Sequence, residues 1–323
     1  MKTPVCDFAE AYANSDPMRL HMPGHKGKGF LGAERLDITE IDGADVLYSA
    51  QGIIAESQLN ASVLFQSGRT LYSAEGSSLC IRAMLYLALL YGRKTGRKPV
   101  IAAARNAHKT FMTGAAALDL DVKWLYPAEQ SSLLSCKVTP RRLEQALDQM
   151  AEPPAAVYVT SPDYLGNMAD TAGLAQVCHD RGILLLVDNA HGAYLNFLPQ
   201  SLHPMALGAD MCCDSAHKTL PVLTGGAYLH IGKKAPAMLS EAAKDAMSFF
   251  ASTSPSYLIL QSLDKANAYL NDGYRERLAD FAQEVSALKV RLAQSGFVLS
   301  GDEPMKLTVC PKSYGYTGKE LAD

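Results

Sequence analysis

Three places in the 323-residue sequence combine residue types that can do chemistry. Gly76-Ser77-Ser78 opens an apolar run. A helix starting there would offer a phosphate free backbone N–H groups, the positive end of a dipole and two hydroxyls. The same serines would serve equally well as plain helix caps. Asp188 directly follows Ile183-Leu184-Leu185-Leu186-Val187 and precedes Asn189-Ala190-His191-Gly192. A carboxylate at a strand end can bind a metal, a ribose or a protonated ring nitrogen, or simply close a turn. Asp214-Ser215-Ala216-His217-Lys218-Thr219 sets a lysine between a histidine and a hydroxyl, an arrangement suited to Schiff-base chemistry. The commoner fate of a lysine is the solvated surface.

The elements that must position these residues follow from hydrophobic patterning. The first seventy residues, with Pro23 and five glycines between Gly24 and Gly43, read as an extended arm with short helical pieces such as 53–65. From Gly76 onward helix and strand signals alternate. Residues 77–91 predict a buried helix, and 100–104, 122–126, 155–160, 183–187, 211–213 and 227–231 predict strands. Thr139-Pro140 marks a helix start, and 174–181 a helix closed by Gly182. Such alternation predicts an α/β fold with a mostly parallel sheet covered by helices on both faces. Ligands in such sheets sit beyond the carboxyl ends of the strands, where Asp188 and Lys218 fall. After Ser254-Pro255 one long helical pattern runs to about residue 295, followed by strand candidates at 296–299 and 306–309. Thr317-Gly318-Lys319-Glu320 is a capping box three residues before the last residue given, too little chain for a full helix. The expected division is an N-terminal arm over 1–70, a cofactor-binding large domain over 71–255, and a long helix with an incomplete smaller domain over 256–323.

Together the three places supply a phosphate site, a carboxylate and an amine, the set that a pyridoxal-phosphate (PLP) enzyme requires. Six collinear motifs then carry a resemblance. They are His21-Met22-Pro23-Gly24-His25-Lys26-Gly27, Asp37-Ile38-Thr39-Glu40, Arg105-Asn106-Ala107-His108-Lys109, Ser161-Pro162-Asp163-Tyr164-Leu165-Gly166, Val187-Asp188-Asn189-Ala190-His191-Gly192-Ala193 and Ser215-Ala216-His217-Lys218-Thr219-Leu220-Pro221. In these the chain resembles the ornithine/lysine/arginine decarboxylase family of aspartate-aminotransferase fold. The resemblance implies PLP fold type I, decarboxylation of a basic amino acid in polyamine biosynthesis, and a homodimer or larger homo-oligomer with shared active sites. It implies Lys218 as the Schiff-base lysine, Asp188 against the pyridine nitrogen, and His108 stacked on the ring. Gly76, Ser77, Ser78 and Ser215 would hold the phosphate with His217 beside it, and His191 would lie near the ring. Either Lys218 or His217 would return the proton after CO2 departs. Another PLP reaction, of transaminase or aldolase type, and a truncated non-catalytic PLP-binding fragment are the alternative readings. The chain departs from the family at Asn189, where Glu is common, at Ala216, where Thr or Ser is, and at Gly225-Gly226, which replace a polar residue.

Composition bounds the rest. A formal charge of −3 gives no sign of nucleic acid or an anionic membrane as partner, and no apolar run is long enough to span a bilayer. Seven cysteines at irregular intervals, without a CxxC pair, predict reduced thiols and a cytoplasmic protein with no metal. Phe30 stands where a P-loop would need lysine. Pro23-Gly24 between His21 and His25 forbids a helical zinc pair. Glu40, Asp42 and Asp45 could meet a substrate's distal charge or form a solvated acidic loop.

Overall fold

Most of the apolar runs pair into one sheet, in a computed structural model that describes residues 1–29, 31–127 and 132–323. Phe30 lies outside the described residues. The strands are β1 (Arg69–Ser73), β2 (Val100–Ala104), β3 (Asp121–Leu125), β4 (Ala156–Thr160), β5 (Leu184–Asp188), β6 (Met211–Asp214) and β7 (Ala227–Ile231). Their order is β1-β7-β6-β5-β4-β2-β3. All run parallel except β7, which is antiparallel to β1 and β6. The central strands are apolar throughout because both of their faces are covered.

The covering helices are α1 (Pro4–Asn14), α2 (Ile53–Leu64), α3 (Gly76–Lys94), α4 (Lys109–Ala117), α5 (Pro140–Asp148), α6 (Thr171–His179), α7 (Ala216–Thr219), α8 (Ala237–Ser248), α9 (Tyr257–Asn271) and α10 (Tyr274–Gln294). Alternate strand residues divide between two layers, as the two-residue period of a strand requires. Ile101, Ala103, Tyr158, Leu186 and Cys213 pack with α3, α4 and α8. Ala102, Val157, Val159, Leu185 and Cys212 pack with α5 and α6. A third cluster joins α1, α2 and α9 around Phe65, Tyr72, Phe197 and Tyr228. No helix among the described residues is long and apolar enough to cross a membrane.

The N-terminal and C-terminal stretches differ from the expectations in instructive ways. Residues 4–14 are helical, not extended, and no side chain near Thr3 caps them. The buried Asp264 of α9 does so instead, accepting from the N–H groups of Val5 (2.9 Å) and Cys6 (3.0 Å) and from Ser57 Oγ (2.5 Å). The long helical pattern is two helices, broken where Gly273 takes φ of +61°. The two late strands shrink to a pair of residues each, β8 (Leu299–Ser300) and β9 (Thr308–Val309). The capping box is present, and α11 (Gly318–Ala322) forms one short turn behind it. Residues 302–308 grip the loop that follows β4. Asp302 and Glu303 N–H donate to Gly166 O, and Thr308 Oγ1 donates to Leu165 O (3.0 Å).

Candidate active site

Parallel register brings the carboxyl ends of β4, β5 and β6 side by side, with Thr160 opposite Asp188 and Asp188 opposite Cys213. A cavity of about 360 Å³ opens there, within the range of ~300–1,000 Å³ usual for small-molecule sites. Its walls include Ser77, Arg105, His108, Asp188, His191 and Lys218, so five of the expected site residues meet in one cleft, joined by Arg105. Asn106, Thr160 and Tyr164 complete the polar lining.

Asp188 ends β5 and is buried. It accepts from Tyr158 OH (3.0 Å) and from Ala190 N–H (3.2 Å). Burial pushes its pKa up, opposed by those two donors and by His108 and Lys218. Among the described residues no cation lies within ion-pairing distance of it. Across the cleft Lys218 Nζ lies 3.3 Å from His191 Nε2. Burial, with Lys218 and Lys306 nearby, lowers the His191 pKa to about 4, so its neutral ring can accept from the lysine. The edge of that ring also meets Tyr164, 6.2 Å between centroids.

His108 caps α4. Its Nδ1 accepts from Thr110 N–H (3.2 Å), which fixes the imidazole at the cleft wall. The start of α3 carries no side-chain cap, so Ser77 and Ser78 are not capping residues. Ser215 Oγ donates to Ser77 Oγ (2.8 Å), whereas the Ser78 hydroxyl pairs with Thr110 Oγ1 (3.2 Å). Gly76 adopts φ of +71° and its N–H donates to Gly225 O. His217 is not part of the cleft lining, and both its backbone N–H and its Nδ1 meet Gly226 O. The two glycines at 225–226 thus tie the start of α3 to the segment that carries Lys218. At Gly225, φ of +99° and the approach of Ala74 O within 2.9 Å of any Cβ exclude a side chain.

Asp45 does not offer a free carboxylate to a substrate. It is spent on the N–H groups of Val46, Gln51, Gly52 and Ile54, closing the turn into α2. His21 pairs with Tyr12, and His25 with Asp37, so the two imidazoles do not share a ligand. Tyr158 was not foreseen. The available signal was a tyrosine inside a buried strand, whose hydroxyl requires a partner there.

The donor set fits PLP. A buried carboxylate without a cation suits a protonated ring nitrogen, and an accessible amine suits the aldehyde. Ser77, at an uncapped nineteen-residue helix start, suits the phosphate. Two cleft-lining atoms, Asn106 Oδ1 and Thr160 Oγ1, are buried and have no hydrogen-bond partner among the described residues, as expected of a surface built to meet a polar ligand.

Comparison with known proteins agrees. The family described as Orn/Lys/Arg decarboxylase, major domain, matches residues 3–303. An arginine decarboxylase of Halalkalibacterium halodurans is 32% identical over 98% of this chain and 68% of its own length. One from Bacillus subtilis is 29% identical over 99% and 68%. Among solved structures, lysine decarboxylase A from Pseudomonas aeruginosa superposes with a TM-score of 0.74 at 20% identity. That match covers 90% of this chain but 43% of the larger one, so the chain spans less than half of that structure. A cleft built from Lys218, Asp188, His108 and Ser77, on a sheet of fold type I, thus coincides with a family match across nearly the whole chain. By both measures the chain belongs, through their major domain, to the Orn/Lys/Arg decarboxylases, a family of PLP-dependent lyases.

Proposed function

We propose that this chain decarboxylates a basic amino acid, arginine, lysine or ornithine, with PLP held by Lys218. The observation that carries the reading is the buried, cation-free Asp188 facing the same cleft as Lys218. PLP, when bound, supplies the electron sink that lets the bond between Cα and the carboxylate break. Asp188 would hold the ring nitrogen protonated, and Tyr158 and Ala190 N–H keep that carboxylate oriented. His108, held at the cleft wall by its capping bond, would be the residue to pack against the ring. Ser77, backed by Ser215, receives the phosphate.

Lys218 is the group best placed to return the proton to Cα, since it lines the cleft while His217 is turned to Gly226 O. Neutral His191 holds the lysine nitrogen when it is free. Arg105, lying over Trp124 with 5.2 Å to the ring centroid, places a fixed cation in the cleft wall for the substrate carboxylate.

The test has two parts. Borohydride reduction of PLP-loaded protein should fix the label on Lys218, as read by peptide mass spectrometry. Incubation with each of the three amino acids should release CO2 and the matching amine from one of them. A label on another lysine, or a keto acid or aldehyde as product, would overturn the reading.

A further inference from the structure

Next to the cleft lies a fully buried polar cluster that the proposed chemistry does not use. Asp214 ends β6, four residues before Lys218, and is not among the residues that line the cleft. Its Oδ2 meets His203 Nε2 (2.9 Å) and His230 Nε2 (3.1 Å), and its Oδ1 accepts from Asn189 Nδ2 (2.6 Å). All four side chains are inaccessible.

Each imidazole also has a partner for its second nitrogen, and for His203 that partner settles the tautomer. His203 Nδ1 accepts from Met205 N–H, and His230 Nδ1 pairs with Thr70 Oγ1 (2.8 Å). His203 Nε2 therefore carries a proton that points at Asp214, and the carboxylate of Asp214, which only accepts, asks the same of His230 Nε2. Although these three residues have ligand-type atoms within 4.8 Å of one another, each Nε2 lone pair is consumed by its proton. The cluster is thus a hydrogen-bonding hub around one carboxylate and not a metal centre. Burial works against the charge on Asp214, but the two imidazoles outweigh it and hold the carboxyl well below the usual range.

Asn189 is where the hub reaches the active site. It lies behind the cleft wall, follows Asp188 and opens the turn that carries Ala190 and His191, and those three neighbours line the cleft. Its amide can meet a carboxylate only through Nδ2, and Oδ1 is left without a partner. That oxygen sits 2.1 Å from where a Cβ on Gly192 would be, so the side chain fills the inside of the turn. One hydrogen bond, from Asn189 to Asp214, hence spans the two segments that carry Asp188 and Lys218.

We propose that Asn189 and Asp214 are positioning residues, a latch that sets the grip of the Asp188 turn and the Lys218 loop on PLP. The inference rests on the assignment of PLP to this cleft. It also accounts for Asn189, since a second carboxylate at this position would oppose Asp214 without water between them.

The test uses the full chain and reads PLP affinity, by absorbance titration, beside the thermal melt of the PLP-free protein. Asn189→Asp should raise the PLP Kd at least tenfold by setting two buried carboxylates face to face. The swap Asn189→Asp with Asp214→Asn reverses the hydrogen bond, keeps one charge, and should return Kd to within threefold of the parent. Asn189→Ala, which opens the latch without repulsion, should raise Kd about fivefold and shift the visible band of the bound cofactor. It decides the matter if Asn189→Asp does not fold. A parent-like Kd and spectrum in folded Asn189→Ala, or no recovery in a folded swap, would sink the latch. A parent chain that fails to bind PLP would instead sink the cofactor assignment beneath it.

Discussion

Tyr158→Phe is the sharpest probe of the carboxylate at the base of the cleft. The substitution keeps the ring, which packs on Phe111 at 4.5 Å between centroids, and deletes one oxygen. That oxygen donates to Asp188 Oδ2 at 3.0 Å, in a place water does not reach. A hydrogen bond to a charged group is worth about 1.5–3 kcal/mol. Its loss falls on the ionised form of Asp188, the form that pairs with a protonated ring nitrogen. At roughly 1.4 kcal/mol per decade, PLP affinity should weaken about 10- to 100-fold. The sign with pH is fixed as well. Burial already raises the Asp188 pKa and Tyr158 opposes that rise, so the variant's carboxyl protonates more readily. The defect should grow as pH falls and shrink as pH rises. Equilibrium PLP titration of both proteins at a series of pH values measures it. A Kd equal to that of the parent at every pH would mean that Tyr158 does not support the ionised Asp188, and the roles assigned at this end of the cleft would fall.

Asp188→Asn should still admit PLP but lose decarboxylation by on the order of 100-fold or more, because an amide does not stabilise a protonated ring nitrogen. Product formation by the loaded variant checks this, and parent-like turnover would refute it. Asp264→Ala strands the N–H groups of Val5 and Cys6 and removes one partner of the Ser57 hydroxyl, and should cost about 3 kcal/mol in urea unfolding. A midpoint within error of the parent would contradict that assignment. His191 is neutral in the fold down to pH about 4, whereas in the unfolded chain it protonates near ~6.5. The unfolded state therefore binds the extra proton first, and stability falls as pH drops through that window. His191→Gln should flatten this part of the pH–stability curve, and an unchanged slope would count against the depressed pKa.

Lys218 and Asp188 were legible in the sequence because each follows a recognisable strand, and strand ends in a parallel sheet are where ligands collect. The two faces of the sheet were legible for the same reason: continuous apolar runs alternate with helical ones. What stayed hidden depends on partners far away in the chain. Thr3-Pro4 offers the same start signal as Thr139-Pro140, but the acceptor that caps this helix, Asp264, lies 259 residues beyond Val5. β1 reads as mixed polar residues, Arg69-Thr70-Leu71-Tyr72-Ser73, and becomes a strand by pairing with β7. The Asp214 hub gathers residues from four separate segments, each unremarkable on its own. Gly273 was open to reading as a tolerated helix glycine, but its left-handed backbone ends α9 and starts α10. At Asn189 the sequence flagged a departure without showing its partner.

The cap that Asp264 places on α1 also dictates an order of events during synthesis. Chains emerge N-terminus first, at about 5–20 residues per second. The strands from β2 to β6 pair with neighbours emerging within roughly a hundred residues of one another. By contrast, β1 waits for β7, and the first turn of α1 lacks its acceptor until residue 264 has left the ribosome. Contacts of such sequence separation are slow to form. The first seventy residues are thus synthesised first and docked late, and through that interval their apolar side chains, Val5, Ile54 and Phe65 among them, lack the partners from β7 and α9 that cover them. Stalled chains of 230 residues should be cut within the N-terminal segment by a protease that spares the same segment in chains extended past residue 280. A helix held from the far end of the sequence therefore makes the N-terminus the part of this protein most dependent on protection while it is being made.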